Sequence, residues 1–240
     1  MALFGLFGKK SDASQLKKWA ERAQNRRAQA VDRWEAIQGL ANMRTAEAVE
    51  ALLPRFVFYV DPSITDQDEK DLAFEGIIAT GEDAVGPLVA FLRKADSISW
   101  PLKALDRIIS PEAVVEKLLA LLADMDTEYE RDPQRKIQIL ATLEERADAR
   151  IVGVAVRFLE DANETVRFHA AGAVLAQADA EAQRPALLRC FCAEESVRVR
   201  NRILDGFAAR GWDVGEMATA VQSRLPAGYA LDRQGVPRRA

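Results

Sequence analysis

Few residues in this 240-residue chain are of types that do side-chain chemistry, and their spacing limits what that chemistry can be. The one histidine, His169, lies in "NETVRFHAAGAVLAQAD" (163–179). A helix-borne imidazole can serve as a general base, but a site needs convergent partners as well as one group. No Ser or Cys nucleophile pattern accompanies it. Cys190 and Cys192 stand two apart in "LLRCFCAEE". On a helix, residues i and i+2 face different sides, so the pair is expected as free thiols packed like small hydrophobes in a reducing compartment. One His and two Cys do not make up a zinc ligand set, so no metal and no cofactor are expected.

Acidic residues give the remaining candidates. Asp66, Asp68, Glu69 and Asp71 crowd one segment, but the central Gly and closing bidentate Glu of a calcium loop are missing. Their expected role is to complement the positive end of a helix dipole. "GIIATG" (76–81) has the glycine spacing of a phosphate loop, yet Glu82 and Asp83 follow where Lys and Ser/Thr would be needed. "GWDVG" (211–215) puts Asp213 where a nucleophile elbow carries Ser, which predicts a helix cap instead. The acidic stretch 124–132, "DMDTEYERD", is expected as a solvated loop or a docking site for a basic partner.

The elements that hold these residues repeat. "DPQRKIQILATLEERAD" (132–148), "NETVRFHAAGAVLAQAD" (163–179) and "EESVRVRNRILDGFAAR" (194–210) align at offsets of 31 residues. Each opens with a turn or capping residue, continues with a basic residue (Lys136, Arg167, Arg198) and then shows an apolar helical stripe. His169 takes the slot filled by Gln138 and Arg200 in the sister copies, which makes it the polar flank of a packing helix. Between these copies lie second helices at 149–161, 181–195 and 213–225, whose apolar residues recur at three- and four-residue steps. Upstream the same alternation drifts: 26–43 with 45–60, 65–80 with 82–95, and 97–109 with 110–125. A leading helix near 14–24 precedes them, and residues 61–67 and 124–132 are expected as the longest loops. Gly81 and Gly211 read as left-handed helix ends and Asp83 and Asp213 as N-caps. Ser110-Pro111 reads as an N-cap followed by Pro at the first helical position, and Pro54 as a kink or split.

Alternating helices with a "VR" opening, an Ala-rich first helix and the linking segment "GEDAVGPLVAFL" resemble HEAT repeats, in particular the short bacterial, phycobilisome-lyase-type kind. The resemblance covers about residues 26–225 and is strongest at 76–95 and 132–210. It implies an all-α, right-handed α-solenoid of about six helix-turn-helix units. First helices would form the convex side and second helices would line a concave groove. A helix pair of this size buries its apolar face only by stacking on neighbours. The expected organisation is a flexible apolar and basic segment over 1–13, the solenoid over 14–225 and a flexible tail over 226–240. HEAT proteins with a di-iron hydroxylase site share repeated His-Glu pairs; this chain has none, so that activity does not carry over.

Charge and hydropathy bound the partners. Net charge is −4, but residues 41–130 hold eighteen acidic against eight basic residues, while 1–40 hold eight basic against four acidic. That acidic centre argues against the continuous basic face of a nucleic-acid binder. No stretch of about 20 apolar residues spans a membrane, and "MALFGLFGKK" is apolar then basic, the reverse of a secretory signal. The expectation is a cytoplasmic protein. Leu3, Phe4, Leu6 and Phe7, with Lys9 and Lys10, form a candidate hook for a protein partner or for weak contact with the inner face of a membrane. Arg150, Arg157, Arg184, Arg189 and Arg224 come from equivalent second helices and are expected to line the groove, suited to acidic or phosphorylated protein segments. The resulting reading is a non-catalytic scaffold or adaptor that binds another protein. Two alternatives stand beside it. One is a HEAT-like DNA-binding protein or DNA alkylation-repair glycosylase using Trp100, Trp212, Asp213 and these arginines; the other is a bilin-lyase-like or chaperone subunit.

Overall fold

Alanine- and leucine-rich segments with few glycines and prolines favour helix, and helix is what the chain adopts. The structure, a computed structural model, describes the backbone of residues 4–240 and side chains from residue 13 onward. It divides into two compact units at Val114 and Val115, where a single solenoid over 14–225 is the sequence expectation.

In the N-terminal unit α1 (Phe4–Ala23) leads to α2 (Ala30–Met43), α3 (Ala46–Leu52), α4 (Ser63–Thr80), α5 (Val85–Leu92) and α6 (Ser99–Ile108). The Thr45 hydroxyl caps α3 by accepting from the Ala48 amide at 3.2 Å. Pro54 ends regular helix there: the chain tightens to a 3-10 turn over Leu53–Val57, the predicted split. Helices α2 and α4 run side by side in the same direction, with Arg33 beside Glu69 and Ala41 against Gly76. A Cβ at Gly76 would meet the Ala41 Cα at 2.9 Å, so only glycine permits this approach. Two local expectations fail. Helix α4 starts at Ser63, so 61–67 is not a loop, because Pro62 in extended conformation provides the entry to the helix. Asp83 caps nothing; it lies inside a 3-10 turn, Gly81–Ala84, that runs straight into α5.

The division falls within α7 (Pro111–Ala123), which the Ser110 hydroxyl caps at the Ala113 amide. The C-terminal unit continues with α8 (Gln134–Glu144), α9 (Arg150–Ala155), α10 (Glu164–Leu175), α11 (Arg184–Ala193), α12 (Val197–Arg210) and α13 (Ala218–Gln222). Helix α10 packs between α8 and α12, burying Val166, Ala170, Ala171, Ala173 and Val174. The Asn163 side chain caps α10 by accepting from the Thr165 and Val166 amides. Gly211 closes α12 in the left-handed conformation, φ 65°.

Each end carries defined backbone: α1 begins at Phe4. The expected tail 226–240 forms an antiparallel hairpin, β1 (Tyr229–Leu231) with β2 (Pro237–Arg239), Tyr229 opposite Arg239. The Asp232 carboxylate turns it by accepting from the Gln234 and Val236 amides, and Gly235 has φ 78°. The Asp205 carboxylate on α12 anchors it, accepting from the Tyr229 hydroxyl at 2.7 Å and the Arg239 guanidinium at 2.6 Å. No helix among the described residues is long and apolar enough to cross a membrane.

Candidate functional site

Of the three basic residues that recur every 31 positions, the first two are structural clamps. Lys136, buried near the start of α8, reaches Asp161 at 3.0 Å; Asp161 follows the second helix of the same pair. Arg167, near the start of α10, grips Glu194 through two bonds of 2.6 and 2.8 Å; Glu194 likewise ends the second helix of its pair. Each acid then opens the next helix. Asp161 accepts from the Asn163 amide, and Glu194 from the Glu195 and Ser196 amides. Burial opposes ionisation of Glu194, but the Arg167 guanidinium and these amides hold its carboxyl below the usual range. The third copy breaks the pattern. Thirty-one residues beyond Glu194 stands Leu225, which carries no charge, and Arg198 turns back to Glu164 at 3.1 Å.

Lys136 also accounts for the acidic loop. Its ammonium donates to the carbonyls of Asp126 and Glu128 and pairs with Glu130 at 3.5 Å, so 124–132 wraps a buried cation. Asp66 and Glu69 belong to a similar device in the N-terminal unit. Glu69, fully buried, binds both Arg33 and Arg55, and Asp66 binds Arg55 and Lys70. Burial opposes ionisation of Asp66, but Lys70, Arg55 and the Val60 amide together hold its carboxyl below the usual range. The dipole role expected for these two acids is thus replaced by ion pairing in the core. Among the described residues no group of three or more His, Cys, Asp or Glu is placed to hold a metal.

His169 lies 3.4 Å from Glu144 on α8, and Glu144 in turn takes the Arg202 guanidinium from α12. Arg202 crosses α10 above Gly172, where a Cβ would collide with it and come within 2.6 Å of the Glu144 carboxylate. The Phe168 ring lies under both Arg198 and Arg202. This is a bridge across three neighbouring helices, consistent with a packing role for the His169 slot. Both cysteines are free; burial and the nearby Glu194 push the Cys190 thiol up to about 12.

The five second-helix arginines are not gathered into one patch. Arg150 folds back onto Asp148 in a bidentate pair. Arg157 caps the end of α7, donating to the carbonyls of Leu122 and of Met125. Arg184 pairs with Asp213 at 2.9 Å and lines a depression of about 600 Å³ with Pro185, Leu188 and Met217. Arg224 is exposed, and its carbonyl accepts from Arg200. Arg189 is different. It is exposed, makes no hydrogen bond or ion pair among the described residues, and lines two depressions at once.

Those depressions, of about 500 and 470 Å³, meet at Glu160 and Arg189. They form a trough between the 3-10 turn Val156–Glu160 and α11, running from Asp126 and Thr127 at one end to Ala193 and Glu195 at the other. Sequence reasoning pointed to Arg189 and missed Glu160 and Glu195, the carboxylates beside it. The available signal was the position of each acid at the end of a second helix, next to the clamp acid: Glu160 before Asp161 and Glu195 after Glu194.

The residues imagined for base excision are otherwise engaged. Trp100 stacks on Phe56, Trp212 meets the edge of Phe207, and Asp213 is held by Arg184. The N-terminal hook residues Leu3, Phe4, Leu6, Phe7, Lys9 and Lys10 lie outside the residues whose side chains are described. The fold and site define an all-α protein of alternating helices with internal charge clamps. No protein-family model, curated protein or solved structure matches the chain.

Proposed function

We propose that this chain is a HEAT-type, right-handed α-solenoid of about six helix pairs that acts as a non-catalytic scaffold, binding another protein along its second helices. The observation that carries the reading is Arg189. Three of its counterparts are tied to acids or helix ends, whereas Arg189 stands exposed and unpaired in a trough on the second-helix face. A cation held in a formed depression without a partner in its own chain suits recognition of a partner's carboxylate. The repeated clamps support the solenoid reading, because each closes one helix pair and its acid opens the next helix. The apolar, basic N-terminus adds a second contact, to the same partner or to a membrane surface.

The test is a crosslinking pull-down from a native lysate with three proteins: intact chain, chain lacking residues 1–10, and the Arg189→Glu variant. A reproducible protein partner lost in Arg189→Glu supports the second-helix site. Loss only in the truncated chain moves the function to the N-terminus. Absence of any reproducible partner with the intact chain overturns the scaffold reading, and a salt-dependent gel shift with duplex DNA would favour the nucleic-acid alternative.

A further inference from the structure

The charge pattern of the trough narrows the chemistry of what fits it. Along α11 the trough face presents Ala186, Arg189 and Ala193, at steps of three and four residues, so one long cationic side chain rises between two small ones. Of the other charged groups lining the two depressions, Arg167, Asp161 and Glu194 are consumed by the clamps. Arg157 is committed to carbonyls at the end of α7. That leaves Arg189 as the unpaired cation, with Glu160 beside it where the depressions meet, Glu195 at one end and Asp126 at the other. The carboxylates of Glu160 and Glu195 make no bond among the described residues, and that of Asp126 accepts only from the Glu128 amide.

We infer that the trough takes an extended peptide segment of alternating charge, with one Asp or Glu set against Arg189 and a Lys or Arg on either side facing Glu160 or Asp126 and Glu195. The inference rests on the protein-binding reading above and revises its chemistry. An uninterrupted acidic or phosphorylated segment would bring multiple negative charges against three carboxylates, and like charges in juxtaposition are what exclude a wrong partner. A wholly basic segment would meet Arg189. Only alternation satisfies both signs. Small Ala186 and Ala193 leave room for the flanking side chains to lie along α11, their methylene stems against the alanines and their charged ends at the rim.

The experiment pans a displayed library of random 12-residue peptides against the full-length protein, then measures the consensus peptide, made synthetically with a fluorescent label, by anisotropy at low salt. The expected consensus has one acidic residue flanked by basic ones. Arg189→Glu is expected to weaken that peptide at least ~10-fold, and a peptide with Lys in place of the central acid should regain binding to this variant to within ~3-fold. Glu160→Lys should weaken the original peptide and favour one lacking the flanking base. Both positions are exposed, so unchanged thermal unfolding of each variant separates lost binding from lost fold. A polyacidic consensus, a consensus indifferent to Arg189→Glu, or no enrichment at all overturns the inference. The pull-down with the intact chain judges the scaffold reading separately, since a protein partner captured there stands even if the peptide chemistry proposed for the trough is wrong.

Discussion

The N-terminal unit concentrates its buried charge in one place, whereas the C-terminal unit spreads it along a 31-residue period. In the first, Glu69 and Arg55 are both fully buried, and Arg33, Asp66 and Lys70 close around them. In the second, Lys136–Asp161 and Arg167–Glu194 each close one helix pair, with one basic residue per pair, and the acid then opens the next helix. The difference teaches where cooperativity resides. A single five-residue cluster is all-or-nothing, because removing one member strands several charges. A series of clamps fails locally, one joint at a time. It also explains why the series stops: Leu225, not an acid, stands one period beyond Glu194, and beyond it the hairpin, not another helix pair, covers α12.

The largest expected effect tests the concentrated cluster. Arg55→Met leaves fully buried Glu69 with Arg33 alone and strips Asp66 of its closest guanidinium. Breaking a buried pair by removing one partner costs about 3–5 kcal/mol. Urea unfolding of this variant should show a loss of that size, read from probes in the N-terminal unit such as Trp100. A loss below about 1 kcal/mol would mean the cluster is compensated elsewhere and the contrast between the units is false.

Next comes a single clamp. Arg167→Met removes two charge-assisted bonds to Glu194, a carboxylate only 1% exposed. The expected cost is about 1.5–3 kcal/mol, smaller than for Arg55 because Arg167 is 21% exposed and Glu194 keeps two amide donors. The pH dependence sharpens this. Glu194 has a lowered folded-state pKa, so its stabilisation is fully present above the ordinary carboxylate value and is lost as pH falls through the lowered one. Wild-type thermal stability should therefore drop on acidification below about pH 4, and Arg167→Met should show a shallower drop over the same window. Parallel curves for the two proteins would remove Glu194 from the account.

Gly76→Ala probes close packing in the N-terminal unit independently of charge. The new methyl would press on the Ala41 backbone, which cannot swing aside, so α2 and α4 must separate. Over-packing of this kind costs about 1–3 kcal/mol. It should appear as a fall in unfolding midpoint with Arg33 and Glu69 both intact.

Much of this was legible beforehand, for a physical reason. Helix alternation, the break at Pro54, the cap at Ser110 and the closing Gly211 are local signals written within a few residues. The recurrence of Lys136, Arg167 and Arg198 was visible because each sits at a fixed place in its copy. Their partners were not, because Asp161 and Glu194 lie 25 and 27 residues away across a helix pair, and only packing brings them back. The same holds for Glu69, where the acidic run 66–71 suggested a solvated helix start and the fold turned two of its members inward. The five arginines all came from second helices but do not share an environment: what separates Arg189 from Arg157 is whether a carbonyl or an acid lies within reach, and periodicity carries no information on that. The hairpin was missed because its two strands are three residues each and depend on Asp205 of α12 to hold them.

The smallest effect distinguishes the clamps from the half-buried bridge that also crosses the C-terminal unit. Gly172→Ala puts a methyl where the Arg202 guanidinium reaches Glu144, but both offending atoms are the ends of flexible side chains. Arg202 can withdraw, giving up a pair that is about a quarter exposed at each end and worth about 0.2–1 kcal/mol. Against that loss, Ala in a helix interior is better than Gly by up to about 1 kcal/mol. The two nearly cancel, so unfolding should shift by less than about 0.5 kcal/mol in either direction. The cycle Gly172→Ala with Arg202→Met separates the terms: in the Arg202→Met background the clash is gone, and Gly172→Ala should become stabilising. If it stays neutral there, the bridge has no measurable strength, and the buried clamps alone tie α8, α10 and α12 together.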